Sequence, residues 1–205
     1  GKPALVSLIP RFYDVTGGRG SVGGLDVRDW DLEALRSRVG VVPQKAVLFT
    51  GTLRDNLLWG NEDATDNDLW QALETTQASE FVSAKPKGLD EPVEQGGRNF
   101  SGGQRQRLTI ARALVRKPDI LILDDSASAL DFATDLKLRQ AISRLPNKPT
   151  IFIVSQRASS IQHADTIVVL DNGQAVGIGT HQELLLGCEL YREIYESQFD
   201  RGDRK

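Results

Sequence analysis

The sequence predicts an α/β fold built on a parallel, doubly wound sheet, and three observations carry that reading. Short apolar runs at 120–123, 150–154 and 166–170 have the length of buried strands. A helix-patterned segment at 132–145 separates the first two. A Gly-rich loop upstream feeds a helix that must end before Pro118. Strands separated by helices need crossover connections, which favour a parallel sheet.

Taken in chain order, residues 4–9 read as a short helix stopped by Pro10. "GGRGSVGGLDVRDWD" reads as an edge hairpin, residues 31–38 as a helix, and "VGVVPQ" at 39–44 as a buried strand running into a loop. From 52 to 84 the pattern is helical and acidic, with a helix start at Thr65-Asp66-Asn67-Asp68 and with Trp70 and Leu73 on one face. The Asp-rich "NEDATDND" reads as a solvated helix start. Trp30, Trp59 and Trp70 read as core or interface packing rather than base-stacking platforms. Asp171-Asn172-Gly173 is a two-residue hairpin turn that places a β-hairpin on the end of the sheet. Residues 181–199 read as two helices.

With 205 residues the chain suits one sizeable α/β domain, or a core with a small subdomain. A net charge of -3 without a polybasic block argues against nucleic acid or anionic lipid as the main partner. Cys188 is the only cysteine, so no internal disulfide forms, which suits a reducing compartment. The apolar runs are too short to span a bilayer, and no signal peptide is visible. The chain contains no methionine and opens on Gly1-Lys2, so a fragment of a longer polypeptide is expected.

Two stretches carry chemistry. In "FSGGQRQRLTIARAL", Ser101, Gly102 and Gly103 precede a helix, so backbone N–H groups, a hydroxyl and the positive helix end converge on an anion site. In "ILILDDSASALD", an apolar strand delivers Asp124 at its C-terminal end, where open parallel sheets bind ligands. Asp125 follows at once and poses a question: a working base, or a shortened remnant of one.

These stretches closely resemble the ATP-binding cassette family, the motor domains of ABC transporters. The resemblance covers nearly the whole chain and implies a RecA-like P-loop NTPase core at 1–52 and 117–205, with an inserted helical subdomain at 53–116 and the N-terminal strands missing. By resemblance, Gly1 and Lys2 are the end of the phosphate loop, Gln44 in "VVPQ" is the Q-loop glutamine, and Asp124 is the Walker B aspartate, with Gln44 and Asp124 facing Mg2+. Phe100, Ser101, Gly102, Gly103 and Gln104 form the signature loop, which serves a partner's ATP. Ser128, Ala129, Leu130 and Asp131 resemble the D-loop, and "IVSQR" the switch region around Gln156. "LIPRFYDV" and "TGTLRDNLLWG" are similar to the exporter branch, with its multidrug and lipid exporters. The family's cofactors are ATP and Mg2+. Its partners are a second nucleotide-binding domain and a transmembrane domain of the same polypeptide, which implies a place at the cytoplasmic face of the cell membrane, the fragment itself being soluble.

Three departures from the family pattern shape the expected activity. The residue after Lys2 is Pro3, which removes a hydroxyl and a backbone N–H from the phosphate cradle. Asp125 stands where the family has glutamate, one methylene short of the attacking water, and a misplacement of about 1 Å can cost on the order of a hundredfold. Gln156 stands where the family has histidine; a neutral amide can hydrogen-bond a phosphate oxygen but cannot carry positive charge. His163, beyond it in "IQHAD", reads as an exposed helix-end histidine rather than a replacement. Asp125 with Gln156 resembles the degenerate half of a heterodimeric exporter, whose catalytic pair hydrolyses poorly while its signature loop completes the partner's site. The rival readings are an ordinary hydrolysing cassette, a non-transport cassette, and a truncated cassette without function.

Overall fold

The computed structural model describes residues 2–126 and 128–199 of the chain. It divides into two compact units, Val6–Phe152 and Ile153–Lys205 with Gly1–Leu5. The first helix, α1 (Lys2–Val6), starts earlier and stops sooner than the expected 4–9.

In the larger unit, β1 (Ser21–Val22) and β2 (Leu25–Asp26) form the expected hairpin. Its turn places both Gly23 and Gly24 at positive φ, 59° and 82°, which a tight two-residue turn demands. Helix α2 (Leu32–Ser37) begins where the Asp31 carboxylate accepts the Ala34 N–H at 2.9 Å. It leads into β3 (Val39–Val42), which pairs in parallel with β6 (Ile120–Asp124). The sheet order is β3-β6-β7, with β7 at Thr150–Val154 and α7 (Phe132–Ser143) as the crossover helix. A small ladder joins β4 (Gly51–Thr52) to β5 (Pro92–Val93).

Between these strands lie α3 (Leu53–Leu58), α4 (Asp66–Thr75), α5 (Ser79–Ser83) and α6 (Gly102–Val115). Leu53, Leu57, Leu69, Leu73, Val82, Leu108 and Ile110 are all buried, and each is worth about 1.5–3 kcal/mol of transfer free energy. The inward face of α4 is Leu69, Ala72 and Leu73, with Trp70 at its edge rather than its centre. Capping boxes open α3 and α4, so both helix starts are fixed by their own sequence. Arg54 binds Asp90 at 3.0 Å and also pairs with Asp66. Arg116 ties the helices to the sheet side, donating to the Gly60 carbonyl at 3.1 Å and the Arg36 carbonyl at 3.0 Å.

In the smaller unit, β8 (Ile167–Asp171) and β9 (Gln174–Gly179) form an antiparallel hairpin through Asn172 and Gly173, at φ 48° and 77°. The expected third parallel strand is therefore β8, but it pairs with β9 in a two-stranded sheet of its own. The Asn-Gly turn makes the local antiparallel partner the nearest one available. Helices α8 (Ala158–Ile161), α9 (His181–Gly187) and α10 (Glu189–Phe199) complete the unit. Its core is Ile167, Val169, Leu184, Cys188 and Tyr191, and the Tyr191 hydroxyl meets His181 Nδ1 at 2.8 Å. Among the described residues no helix is long and apolar enough to cross a membrane.

Two predictions test this packing. A Cβ at Gly60 would collide with the backbone carbonyl of Arg112. Gly60→Ala should therefore lower unfolding stability by on the order of 2 kcal/mol in urea titrations, and an unchanged midpoint would refute the close approach. Asp68 is held at a pKa of about 2 by the Thr65 N–H first, then by Lys117 and the Thr65 hydroxyl. A depressed carboxylate contributes stability above its unfolded value, lost as pH falls through the folded value. Asp68→Asn should flatten the fall in melting temperature between about pH 4 and 2, and an unaltered slope would contradict the bond network.

Candidate functional site

The site begins with strand register. β3 and β6 run parallel with Val42 opposite Leu123, so both leave the sheet at the same edge. Counting two residues beyond each partner brings Gln44 and Asp125 to the same level. There the Gln44 amide Nε2 donates to Asp125 Oδ2 at 3.3 Å, across 81 residues of chain. Leu121, Ile122 and Leu123 are buried, which anchors the strand and leaves Asp124 half-buried where it exits. Asp125 sits at φ 44°, a left-handed conformation that aspartate tolerates better than most residues. Partial burial, and then the charge on Asp125, push the Asp124 carboxyl above the ordinary aspartate range. Two adjacent carboxylates at a sheet edge thus favour a cation or a proton.

The loop at 100–104, which by resemblance is the signature loop, is built by a capping box. Ser101 Oγ accepts the Gln104 N–H at 3.2 Å, and Gln104 Oε1 accepts the Ser101 N–H at 3.0 Å. Among the described residues the N–H groups of Gly102 and Gly103 have no partner within the chain, as the first turn of a helix requires. The cap is an amide rather than a carboxylate, so the positive end of α6 is not neutralised. Phe100 is buried under the Lys85 ammonium, 4.9 Å from the ring centroid, and its carbonyl accepts from Arg105 at 2.7 Å.

The loop at 128–131, which by resemblance is the D-loop, packs on that same first turn. Gln106, buried in α6, accepts the Ala129 N–H at 3.0 Å and donates to Ser128 Oγ at 3.4 Å. A Cβ on Gly103 would come within 3.3 Å of the Ala129 carbonyl and 3.6 Å of Leu130, so glycine permits the approach. Asp131 caps α7, accepting the Thr134 N–H at 2.9 Å and its hydroxyl at 2.7 Å, and these bonds hold its pKa below the ordinary value. Beside the cluster opens a cleft of about 450 Å³ lined by Lys45, Arg98, Arg105, Gly102, Gln106 and Ala129 among others, with three cations and no carboxylate. That polarity suits a phosphorylated ligand.

Gln156 belongs to the smaller unit; its side chain is exposed and its carbonyl accepts from Gln198 at 2.6 Å. His163 is exposed just past α8, as the sequence suggested. Gly1 lies outside the described residues, as do the side chains of Lys2 and Pro3. Trp59 is not a core residue, being 72% exposed, with its ring 5.2 Å from that of Phe49. Val47 and Phe49 are exposed beside it, and Arg112 lies 5.2 Å over the Phe49 ring with a buried, unpartnered Nη1. Sequence reasoning missed Gln106, Arg112 and Gln198, since their partners lie 22 to 65 residues away and leave no local pattern.

Comparison with known proteins gives the family. A model of the ABC transporter family matches residues 1–128. An uncharacterized ABC transporter ATP-binding protein of Mycobacterium tuberculosis (strain H37Rv) is 48% identical over 97% of this chain and 34% of its own length. A putative multidrug export ATP-binding/permease protein, YgaD of Bacillus subtilis, is 43% identical over 97% of this chain and 34% of its own. A solved structure of a bacterial Atm1-family ABC exporter with ATP bound superposes with a TM-score of 0.91 at 35% identity, covering 97% of this chain and 35% of that one. The chain thus spans about a third of the length of the relatives it matches. With its α/β core and a matched family model, the chain belongs to the ABC transporter family as a nucleotide-binding domain.

Proposed function

We propose that this chain is the ATP-binding half of an exporter, that it closes around ATP with a second, non-identical nucleotide-binding domain, and that its own site hydrolyses poorly while its signature loop completes the partner's. The observation that carries the reading is the bond from Gln44 to Asp125. One of the two oxygens of the short carboxylate is already engaged, which suits a holding residue better than a base that must take a proton from water. The Gly102 and Gly103 N–H groups, the Ser101 hydroxyl and the open end of α6 together suit a γ-phosphate presented from outside.

The carboxylate pair fits Mg2+. Among the described residues no group of three His, Cys, Asp or Glu side chains could close a site alone, but this ion takes one or two carboxylates and fills its remaining positions with phosphate oxygens and water. Asp124, whose charge is disfavoured where it stands, and the Gln44 side-chain oxygen would hold it. Once bound, the ion would neutralise charge on the β- and γ-phosphates. Gln156 would hydrogen-bond the γ-phosphate without supplying charge. The exposed Val47, Phe49 and Trp59, with Arg112 over the Phe49 ring and its Nη1 unpartnered, suit a transmembrane-domain segment that brings an apolar side chain and a carbonyl or carboxylate. A cytoplasmic position follows from that partnership.

Two experiments test the proposal. Ser101→Arg would set a bulky cation where the partner's phosphate must dock. In the assembled heterodimer it should abolish most ATP turnover although the partner's own carboxylates are intact; surviving turnover would show that this loop does not complete the competent site. The second experiment disables the partner's catalytic glutamate, so that phosphate release reports on this site alone. Asp125→Glu and Gln156→His should each restore little, and the double variant more than the sum of the two in free energy, because groups that act as a unit are non-additive. Efficient wild-type release, or full recovery by Asp125→Glu alone, would contradict a degenerate site.

A further inference from the structure

Helix α8 has no cap of its own. Arg157 occupies its N-cap position at φ -95° and ψ 115°, with no capping bond from its side chain. The Ala158 N–H that opens the helix belongs to a residue only 2% exposed, so water cannot readily serve it. Its partner comes from 40 residues away: Gln198 Oε1 on α10 accepts it at 2.8 Å. The same amide turns its Nε2 to the Gln156 carbonyl at 2.6 Å. Ser155 Oγ takes the intervening Arg157 N–H at 3.0 Å. Three successive backbone groups around Gln156 are therefore fixed, two of them by one side chain of the C-terminal helix.

We infer that Gln198 is a positioning residue for the switch loop. It caps α8 from a distance and, by holding the Gln156 carbonyl, sets the direction in which the Gln156 side chain leaves the backbone. A hydrophobic residue at 198 would strand a buried N–H and release the carbonyl; a glutamate would keep the acceptor for Ala158 but oppose the Gln156 carbonyl with a second acceptor. Whatever displaces α10 would displace the switch loop with it. The inference rests on the proposed reading of Gln156 as a γ-phosphate contact.

The test uses the assembled transporter with Gln198→Leu, Gln198→Glu and, in parallel, Gln156→Ala, with the partner's site disabled. Amide exchange over 156–160 and the preference for ATP over ADP are measured for each. Gln198→Leu should speed exchange at Ala158 and lower the ATP preference by about fivefold, the worth of one ordinary hydrogen bond, while ADP affinity changes less than about twofold. Gln198→Glu should retain Ala158 protection yet lose ATP preference, a split that general loosening of the fold would not give, and it carries the test if the leucine variant does not fold. Unchanged Ala158 protection in Gln198→Leu would overturn the clamp. If Gln156→Ala lowers the ATP preference and neither Gln198 variant does, the positioning role fails while the switch reading stands. If Gln156→Ala itself has no effect, the switch reading fails and takes the inference with it.

Discussion

The parallel pairing of β3 with β6, with Val42 opposite Leu123, is the constraint on which the site depends. Side-chain period in a strand is two, so a slip of one residue would turn Asp124 from the sheet edge toward the opposite face. Leu121, Ile122 and Leu123 are buried on both faces of the strand, so a one-residue slip toward its start would draw the charged Asp124 into an apolar position. Once register is fixed, Gln44 and Asp125 meet without further help, although Gln44 itself is exposed and nothing local holds it. The hydrophobic effect thus does the positioning, and the polar groups at the edge inherit their geometry from it.

Helix α6 extends that logic to the second half of the site. Leu108, Ile110, Ala111 and Leu114 bind its body into the core, while its first turn is held by its own capping box. Rigid body and open end together make the N–H groups of Gly102 and Gly103 a preorganised donor pair rather than a mobile loop. Gln106 then holds Ser128 and Ala129 from the same helix, so the loop from 128 to 131 and the first turn of α6 share one mechanical base. A displacement of α6 would move both.

The electrostatics separate the two ends of the site. At the sheet edge, Asp124 and Asp125 concentrate negative charge, and partial burial, then the charge on Asp125, raises the Asp124 carboxyl. At the signature end, Lys45, Arg98 and Arg105 face a cleft without a carboxylate. A cation with its phosphates matches the first end, and a phosphate alone matches the second. The proposed function, with one nucleotide held by this chain and one presented to it, would use both polarities in a single domain.

The sequence by itself determined whatever local physics encodes. The hairpin at Gly23-Gly24, the Asn172-Gly173 turn, the capping boxes at Thr65 and Ser101 and the helix starting after Asp131 all arise from residues within four positions of one another. The family was legible too, because "SGGQRQRLTIARAL" and "LILDD" are contiguous. Tertiary structure decided what depends on distant partners. It left Trp59 outside the core, bonded Asp125 to Gln44 across 81 residues and gave α8 a cap from Gln198. The reason is physical: a turn or a cap is chosen by the chain's own dihedrals and nearest side chains, whereas exposure and long-range hydrogen bonds exist only after packing has brought remote segments into reach.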